Sequence, residues 1–282
     1  MKMKEEDAIS HIKYAETHDN IIFFTNKGKA YQIKAYEIAE SSRTAKGTAV
    51  VNLLNIEAGE EVESFIVYNK KEKAGFVFLA TRNGTVKKTN ITEFENIRKN
   101  GMIAIKLEEK DELVWSLLST GDNHVLIVTK EGKAIKFKEE EVRPMGRATM
   151  GVRGIKIGST DRVIGMDLIN HKDNPDVFVI MENGLGKRTA INQFPLQGRG
   201  GLGVKVAKVT DKTGSVVTAQ IIPINAEEVI ITSKHGQVVR IHLKTLPQLG
   251  RDTQGVILMR FSGSADKVSA ATCLEASNGE EK

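Results

Sequence analysis

The chain has 282 residues, 40% hydrophobic and 27% charged, with a formal net charge of +5; each end, 1–20 and 262–282, is net −2, so the body between is +9 and suits a polyanionic partner. The single cysteine, Cys273, excludes a disulfide framework and a zinc site built on several thiolates, and suits a reducing compartment. No run approaches the roughly 20 apolar residues of a membrane helix, and the start MKMKEEDAISHIKYAETHD has no signal-peptide core.

In chain order, residues 1–20 resemble the last strand of a repeating unit whose beginning lies upstream, so the chain reads as a piece of a longer protein. Five segments then start alike: IIFFTNKGKAYQI from Ile21, FVFLATRNGTVKK from Phe76, HVLIVTKEGKAIKF from His124, DVFVIMENGLGKRT from Asp176 and EVIITSKHGQVVRI from Glu228. Each is an apolar run, a polar turn with a glycine, and a second run. The turn glycines are Gly28, Gly84, Gly132, Gly184 and Gly236. An arginine follows 14 or 15 residues later, at Arg43, Arg98, Arg147, Arg199 and Arg251, and a loop glycine 3 or 4 after that, at Gly47, Gly101, Gly151, Gly203 and Gly255. An alternating run closes the pattern: AVVNLL, MIAIKL, VRGIKI, VKVAKV and VILMRF.

Short runs rich in Val, Ile, Phe and Thr predict strands, and Asn-Gly, Lys-Gly, Glu-Gly and His-Gly pairs predict tight hairpins. Each unit of about 50 residues is then four short strands, and because one sheet cannot bury both its faces, the units stack. An all-β, propeller-like architecture satisfies this. The expected repeats are 21–75, 76–123, 124–175, 176–227 and 228–274, with 1–20 a remnant and 275–282 a tail.

Basic residues recur in register. Four after each turn glycine stand Gln32, Lys88, Lys136, Arg188 and Arg240; Lys29, Lys87, Lys133 and Lys187 are neighbours; the loops add Arg43, Lys46, Arg98, Lys99, Arg143, Arg147, Arg153, Arg199 and Arg251. Radially stacked units would line these up as a positive rim, and the phosphates of duplex DNA form a regular negative rail to match. The loop QGRGGLG, Gln197 to Gly203, matches Gly-x-Gly-x-x-Gly, yet a strand follows it where a dinucleotide fold needs a helix. Its exposed backbone with Arg199 suits phosphate oxygens instead. The six histidines show no metal-ligand spacing, and no nucleophile elbow or P-loop is present. Trp115 and the ten phenylalanines read as core, not as base-stacking platforms.

The segments KAYQIKAYEIAESSRTAKGTAVVNLL, FLATRNGTVKKTNITEF, GIKIGSTDRVIGMDLI, NGLGKRTAINQFP and GRDTQGVILMRF resemble the C-terminal domain of the DNA gyrase A protein, in order and over nearly the whole chain. The resemblance implies one β-pinwheel domain over 1–282, of a six-bladed family whose basic rim bends and wraps duplex DNA so that the enzyme introduces negative supercoils. It implies no catalytic or metal residue here: the active tyrosine, ATP and Mg2+ belong to other parts of that enzyme. The partners it implies are double-stranded DNA and the remaining gyrase A and gyrase B subunits, with no membrane; the location it implies is the bacterial cytoplasm. The family's box, Gln-basic-Arg-Gly-Gly-basic-Gly, belongs to the first blade, whereas Gln197–Gly203 lies in the fifth-blade position with Gly198 and Leu202 at the two basic places. A phosphate role carries over to Gln197, Arg199, Gly200, Gly201 and Gly203. Three alternatives stay open: the related topoisomerase IV domain, a propeller-type protein-interaction platform, and an enzyme with a site in a central channel. Curving about 40 bp through half a circle costs on the order of 10 kcal/mol, so only distributed contacts could wrap DNA.

Overall fold

The structure, a computed structural model, describes residues 13–41, 47–69, 75–98, 100–261, 263 and 265–275. It is all-β, with antiparallel strands and short 3-10 turns. Contacts divide it into two compact units. One runs to Asn123 and adds Lys138–Gly154; the other is His124–Phe137 with Ile155 onward.

The hairpins form as the sequence predicts. Asn20–Thr25 pairs with Lys29–Lys34, Phe76–Thr81 with Thr85–Asn90, His124–Thr129 with Lys133–Lys138, Asp176–Met181 with Leu185–Ala190, and Ala226–Ser233 with Val238–His242. The five turn glycines all have positive φ. At Gly184 a side chain would also run into the carbonyl of Met259, so only glycine closes this turn beneath the strand that crosses it. The first strand of each of the first four hairpins is buried almost throughout, which explains its unbroken apolar run. Alternate residues of Asp176–Met181 serve two cores: Val177, Val179 and Met181 pack with Leu126 and Val128, while Phe178 and Ile180 pack with Val229 and Ile231. In the other unit Ile22 and Phe24 pack with Val77, Leu79 and Phe94.

The last strand of each repeat, Val62–Tyr68, Leu113–Ser119, Val163–Ile169, Val216–Ile221 or Val268–Glu275, pairs with the first strand of its own hairpin. The alternating runs behave differently from the expectation that they close their own units. Four of the five contribute only a two-residue strand, and that strand joins the preceding sheet: Met102–Ile103 on Lys29–Lys34, Val152–Arg153 on Thr85–Asn90, Val204–Lys205 on Lys133–Lys138, and Val256–Ile257 on Leu185–Ala190. The physical reason is the loop glycine. Gly151, at φ +93°, presses on the preceding sheet so closely that a Cβ there would lie 2.6 Å from the Val86 carbonyl oxygen. The carbonyls of Gly28, Gly84, Gly132 and Gly184 then accept the chain as it leaves, as Gly28 does from Ala104 N–H at 2.8 Å and Gly132 from Val206 N–H at 2.9 Å.

Four sheets therefore have four strands, three of their own and one borrowed from the next repeat. The fifth has three among the described residues, and Val238 on its outer strand is 57% exposed. In the first repeat the run AVVNLL contributes a 3-10 turn, Val50–Asn52, in place of a strand. Phe24, Phe78, Phe94, Phe137, Phe178 and Phe194 are buried core residues. No helix among the described residues is long and apolar enough to cross a membrane, and no group of three or more His, Cys, Asp or Glu there could hold a metal ion.

Candidate nucleic-acid interface

The side chain four after the turn glycine reaches diagonally across the hairpin to the residue twelve before it, and this contact recurs. Gln32 Nε2 donates to Asn20 Oδ1 at 2.6 Å, Lys88 Nζ lies 5.1 Å from the Phe76 ring centre, Arg188 NH1 donates to Asp176 Oδ2 at 3.2 Å, and Arg240 pairs with Glu228. At this position Lys88, Lys136 and Arg188 also reach forward to the 3-10 turn of the next repeat or the residue that ends it. Lys88 Nζ donates to Glu139 O at 3.3 Å, Lys136 Nζ to Ile191 O at 3.0 Å, and Arg188 Nε to Leu246 O at 2.9 Å. Beneath them, Lys88 O, Lys136 O and Arg188 O each accept a backbone N–H of the next loop, from Met145, Gln197 and Leu249, at 2.8 Å.

This corrects the expectation of an exposed stripe at that register. Lys88 is buried beside Glu139, Nζ to Oε1 3.7 Å, with side chains 5% and 0% exposed. Lys136 and Arg188 are half-buried, and burial lowers the Lys136 pKa. Arg240, in the repeat with no described successor, is the exposed one, at 65%. The reason is the borrowed strand: this register faces the next repeat and is used to join it.

The residue before the register position points to the opposite face. Here Lys87 and Lys187 are completely buried, a second correction. Lys87 Nζ donates to Ala104 O at 2.7 Å and to Arg147 O; Lys187 Nζ donates to Gly250 O at 2.6 Å, Arg251 O at 2.5 Å and Thr253 Oγ1 at 3.0 Å. Burial pulls both ammonium pKa values down from 10.5 to about 8. Lys29 is tied to Glu57 at 2.6 Å, and Lys133 is exposed.

The loop cations stay nearer the surface. Arg98, Arg143 and Arg153 are exposed; Arg147, Arg199 and Arg251 are half-exposed. Arg43, Lys46 and Lys99 lie outside the described residues. In the glycine-rich loop, Gln197 is held by its N–H on Lys136 O, while its Oε1 is buried without a partner among the described residues. Gly200 and Gly203 have positive φ, Gly201 O accepts Lys156 N–H at 2.8 Å, and Gly203 lies against the Ala134 carbonyl. Much of this loop's backbone is therefore spent on the protein.

The structure also reveals a row that the sequence reading passed over. Five residues after the loop glycines stand Lys106, Lys156, Lys208 and Arg260, all exposed, none in an ion pair among the described residues. The backbone N–H of the first three donates to the next loop two residues beyond its arginine: Lys106 to Thr149 O at 3.0 Å, Lys156 to Gly201 O, and Lys208 to Thr253 O at 3.1 Å. Arg147, Arg199 and Arg251 are thus each accompanied by one exposed lysine from the preceding repeat. The signal was present as the K or R inside MIAIKL, VRGIKI, VKVAKV and VILMRF.

The family described as DNA gyrase C-terminal domain, beta-propeller, matches residues 19–69, 75–119, 123–170, 176–223 and 227–275. The DNA gyrase A protein of Staphylococcus epidermidis is 36% identical over 262 residues, which are 93% of this chain and 29% of the relative. The DNA gyrase A protein of Salmonella typhimurium is 38% identical over 280 residues, 99% of this chain and 32% of the relative. The chain thus spans about a third of the length of these curated relatives. A solved DNA gyrase A C-terminal domain superposes with a TM-score of 0.75 at 28% identity, covering 92% of this chain and 83% of the other. A solved C-terminal domain of DNA topoisomerase IV has the same fold, with a TM-score of 0.83 at 24% identity over 92% of this chain and 80% of the other. Five matched segments falling on five hairpin repeats, with relatives of one name across the chain, lead to one conclusion: this chain belongs to the DNA gyrase A C-terminal domain family.

Proposed function

We propose that this chain is a non-catalytic, DNA-wrapping domain that binds duplex DNA through its phosphates and bends it. The observation that carries this reading is the recurring pair of loop arginine and exposed lysine: Arg147 with Lys106, Arg199 with Lys156, Arg251 with Lys208. Successive repeats present the same two charges at the same place, which suits a regularly spaced polyanion. Nothing in the pairs reads base edges, so binding is largely indifferent to sequence and favours bendable DNA. The contact set is Arg98, Lys133, Arg143, Arg147, Arg153, Arg199, Arg251 and the row Lys106, Lys156, Lys208 and Arg260, with Gly200 and Gly201 as close backbone neighbours. In the holoenzyme the wrapped duplex is presented for strand passage, giving negative supercoils. Cleavage, ATP and Mg2+ belong to the rest of gyrase A and to gyrase B, the partners of this domain in the bacterial cytoplasm.

The test is a salt titration on duplex DNA of random sequence, together with relaxation of a closed plasmid by a type I topoisomerase in the presence of the chain. Affinity falling steeply with salt and a shifted linking number are the expected results. A flat salt response would leave a protein-interaction platform as the better account, and salt-dependent binding with no shift would remove wrapping while keeping DNA binding.

A further inference from the structure

We propose that Lys87 and Lys187 are positioning residues of the DNA interface: each fixes the backbone of the next repeat's loop arginine and neither touches DNA. The proposal rests on the DNA-binding reading above.

Both side chains have no exposed surface, so a duplex cannot reach them. An ammonium has three protons, and all three of Lys187 go to one loop, on Gly250 O, Arg251 O and Thr253 Oγ1. Lys87 holds Arg147 O in the same way and ties it to Ala104 O. The opposite edge of each arginine peptide is gripped too. Arg147 N–H donates to Glu93 Oε2 at 3.1 Å, and Arg251 N–H to Gln193 Oε1 at 3.2 Å. Glu93 and Gln193 stand in the 3-10 turns that follow the hairpins of Lys87 and Lys187. The preceding repeat therefore holds both polar groups of the arginine backbone.

The two clamped loops share a sequence, Gly146-Arg147-Ala148-Thr149 and Gly250-Arg251-Asp252-Thr253. In each the threonine Oγ1 donates back to the glycine carbonyl, at 2.9 and 2.8 Å. Where the loop has no such threonine the lysine is absent as well. Gly198-Arg199-Gly200-Gly201 rests on Ile135, and Gly101, after Arg98, rests on the Tyr31 ring. Lysine and Gly-Arg-x-Thr thus occur together, once in each compact unit. An apolar residue, Ile135, stands at the lysine's place in the third sheet, so the buried charge is not needed merely to occupy the core. What it adds is a rigid arginine peptide, beside which Lys106 or Lys208 is also fixed through its own N–H.

The test is a double-mutant cycle on the full chain, with affinity for a labelled duplex of about 40 bp read at several salt concentrations beside thermal unfolding. Arg251→Ala should weaken binding and lower the salt slope by about one unit. Lys187→Met should weaken binding roughly three- to tenfold, yet add almost nothing to Arg251→Ala, because it acts through that residue. Full-strength binding by Lys187→Met, or a loss that adds fully to that of Arg251→Ala, would overturn the positioning role. Should Lys187→Met fail to fold, Gln193→Ala at the exposed edge of the clamp carries the same expectation, and wild-type affinity there overturns the proposal. If Arg251→Ala itself binds as wild type, the DNA role of the loop falls and takes the proposal with it, a result distinct from failure of the clamp alone.

Discussion

A lysine ammonium with no exposed surface keeps its charge only if protein oxygens replace water. Lys187 has three such oxygens, yet burial lowers its pKa from 10.5 to about 8, with Asp252 offsetting and Arg251 adding to the effect. Lys87 behaves alike, with Glu93 offsetting and Arg147 adding. The sign is fixed by linkage. Between pH 8 and 10.5 the unfolded chain binds more protons than the folded one, so these groups make stability rise with pH across that window and level off below about 8. Lys187→Met should remove part of that rise; denaturant midpoints at about pH 7.5 and 9.5 check it, and the variant should compare best with wild type at the lower pH. Lys88 gives a second case. Glu139 is wholly buried and accepts from Ser119 Oγ and Asn123 Nδ2 as well as facing Lys88. Lys88→Ala should cost about 3 kcal/mol or more in unfolding free energy, and Lys88→Met with Glu139→Gln less, because the single change strands a carboxylate. The sequence showed the recurrence of these cations but not their direction. Lys87 and Lys88 are adjacent in a strand, so they point to opposite faces and cannot share a rim.

The hairpins were legible because a glycine-bearing turn between two apolar runs names its own partner strands. The borrowed strand was not, because an alternating pattern says which side is buried and leaves the neighbour unnamed. Sequence adjacency favoured the wrong sheet. The loop glycine was the clue, since it marks where two backbones meet. Gly151→Ala should cost about 1–3 kcal/mol, through the positive φ and the clash with Val86 O, and should raise amide exchange in Val152 and Arg153. Gly146→Ala in the same loop is the control: nothing lies within 4 Å of its added carbon, and unfolding should hardly change. Equal losses at both positions would mean that the strand is not held through Gly151.

For the whole molecule, the phosphate binding proposed above would be a sum over weak, repeated contacts. Replacing Lys106, Lys156, Lys208 and Arg260 together by alanine should lower the salt slope by about three to four units while the melting temperature stays near wild type, since all four are exposed. An unchanged slope would remove this row from the interface. The loop arginines were visible from their spacing alone. The lysine row was hidden inside runs that look like ordinary strand filler, and only the folded loops set it beside the arginines.

Every borrowed strand comes from downstream, so the chain depends on its own rear. Ending it before Ala226 would take Val256–Ile257 from the fourth sheet and remove the Gly250–Thr253 loop that covers and holds Lys187. Starting it at Gly75 would take Ile22, Phe24 and Ile66 from the core they share with Val77 and Leu79 and set Met102–Ile103 adrift, but it would remove no strand from the second sheet. Trimming from the back is the harsher edit. A ladder of truncations should therefore show stability dropping more steeply from the rear, where strand and core go together, than from the front, where core alone is lost.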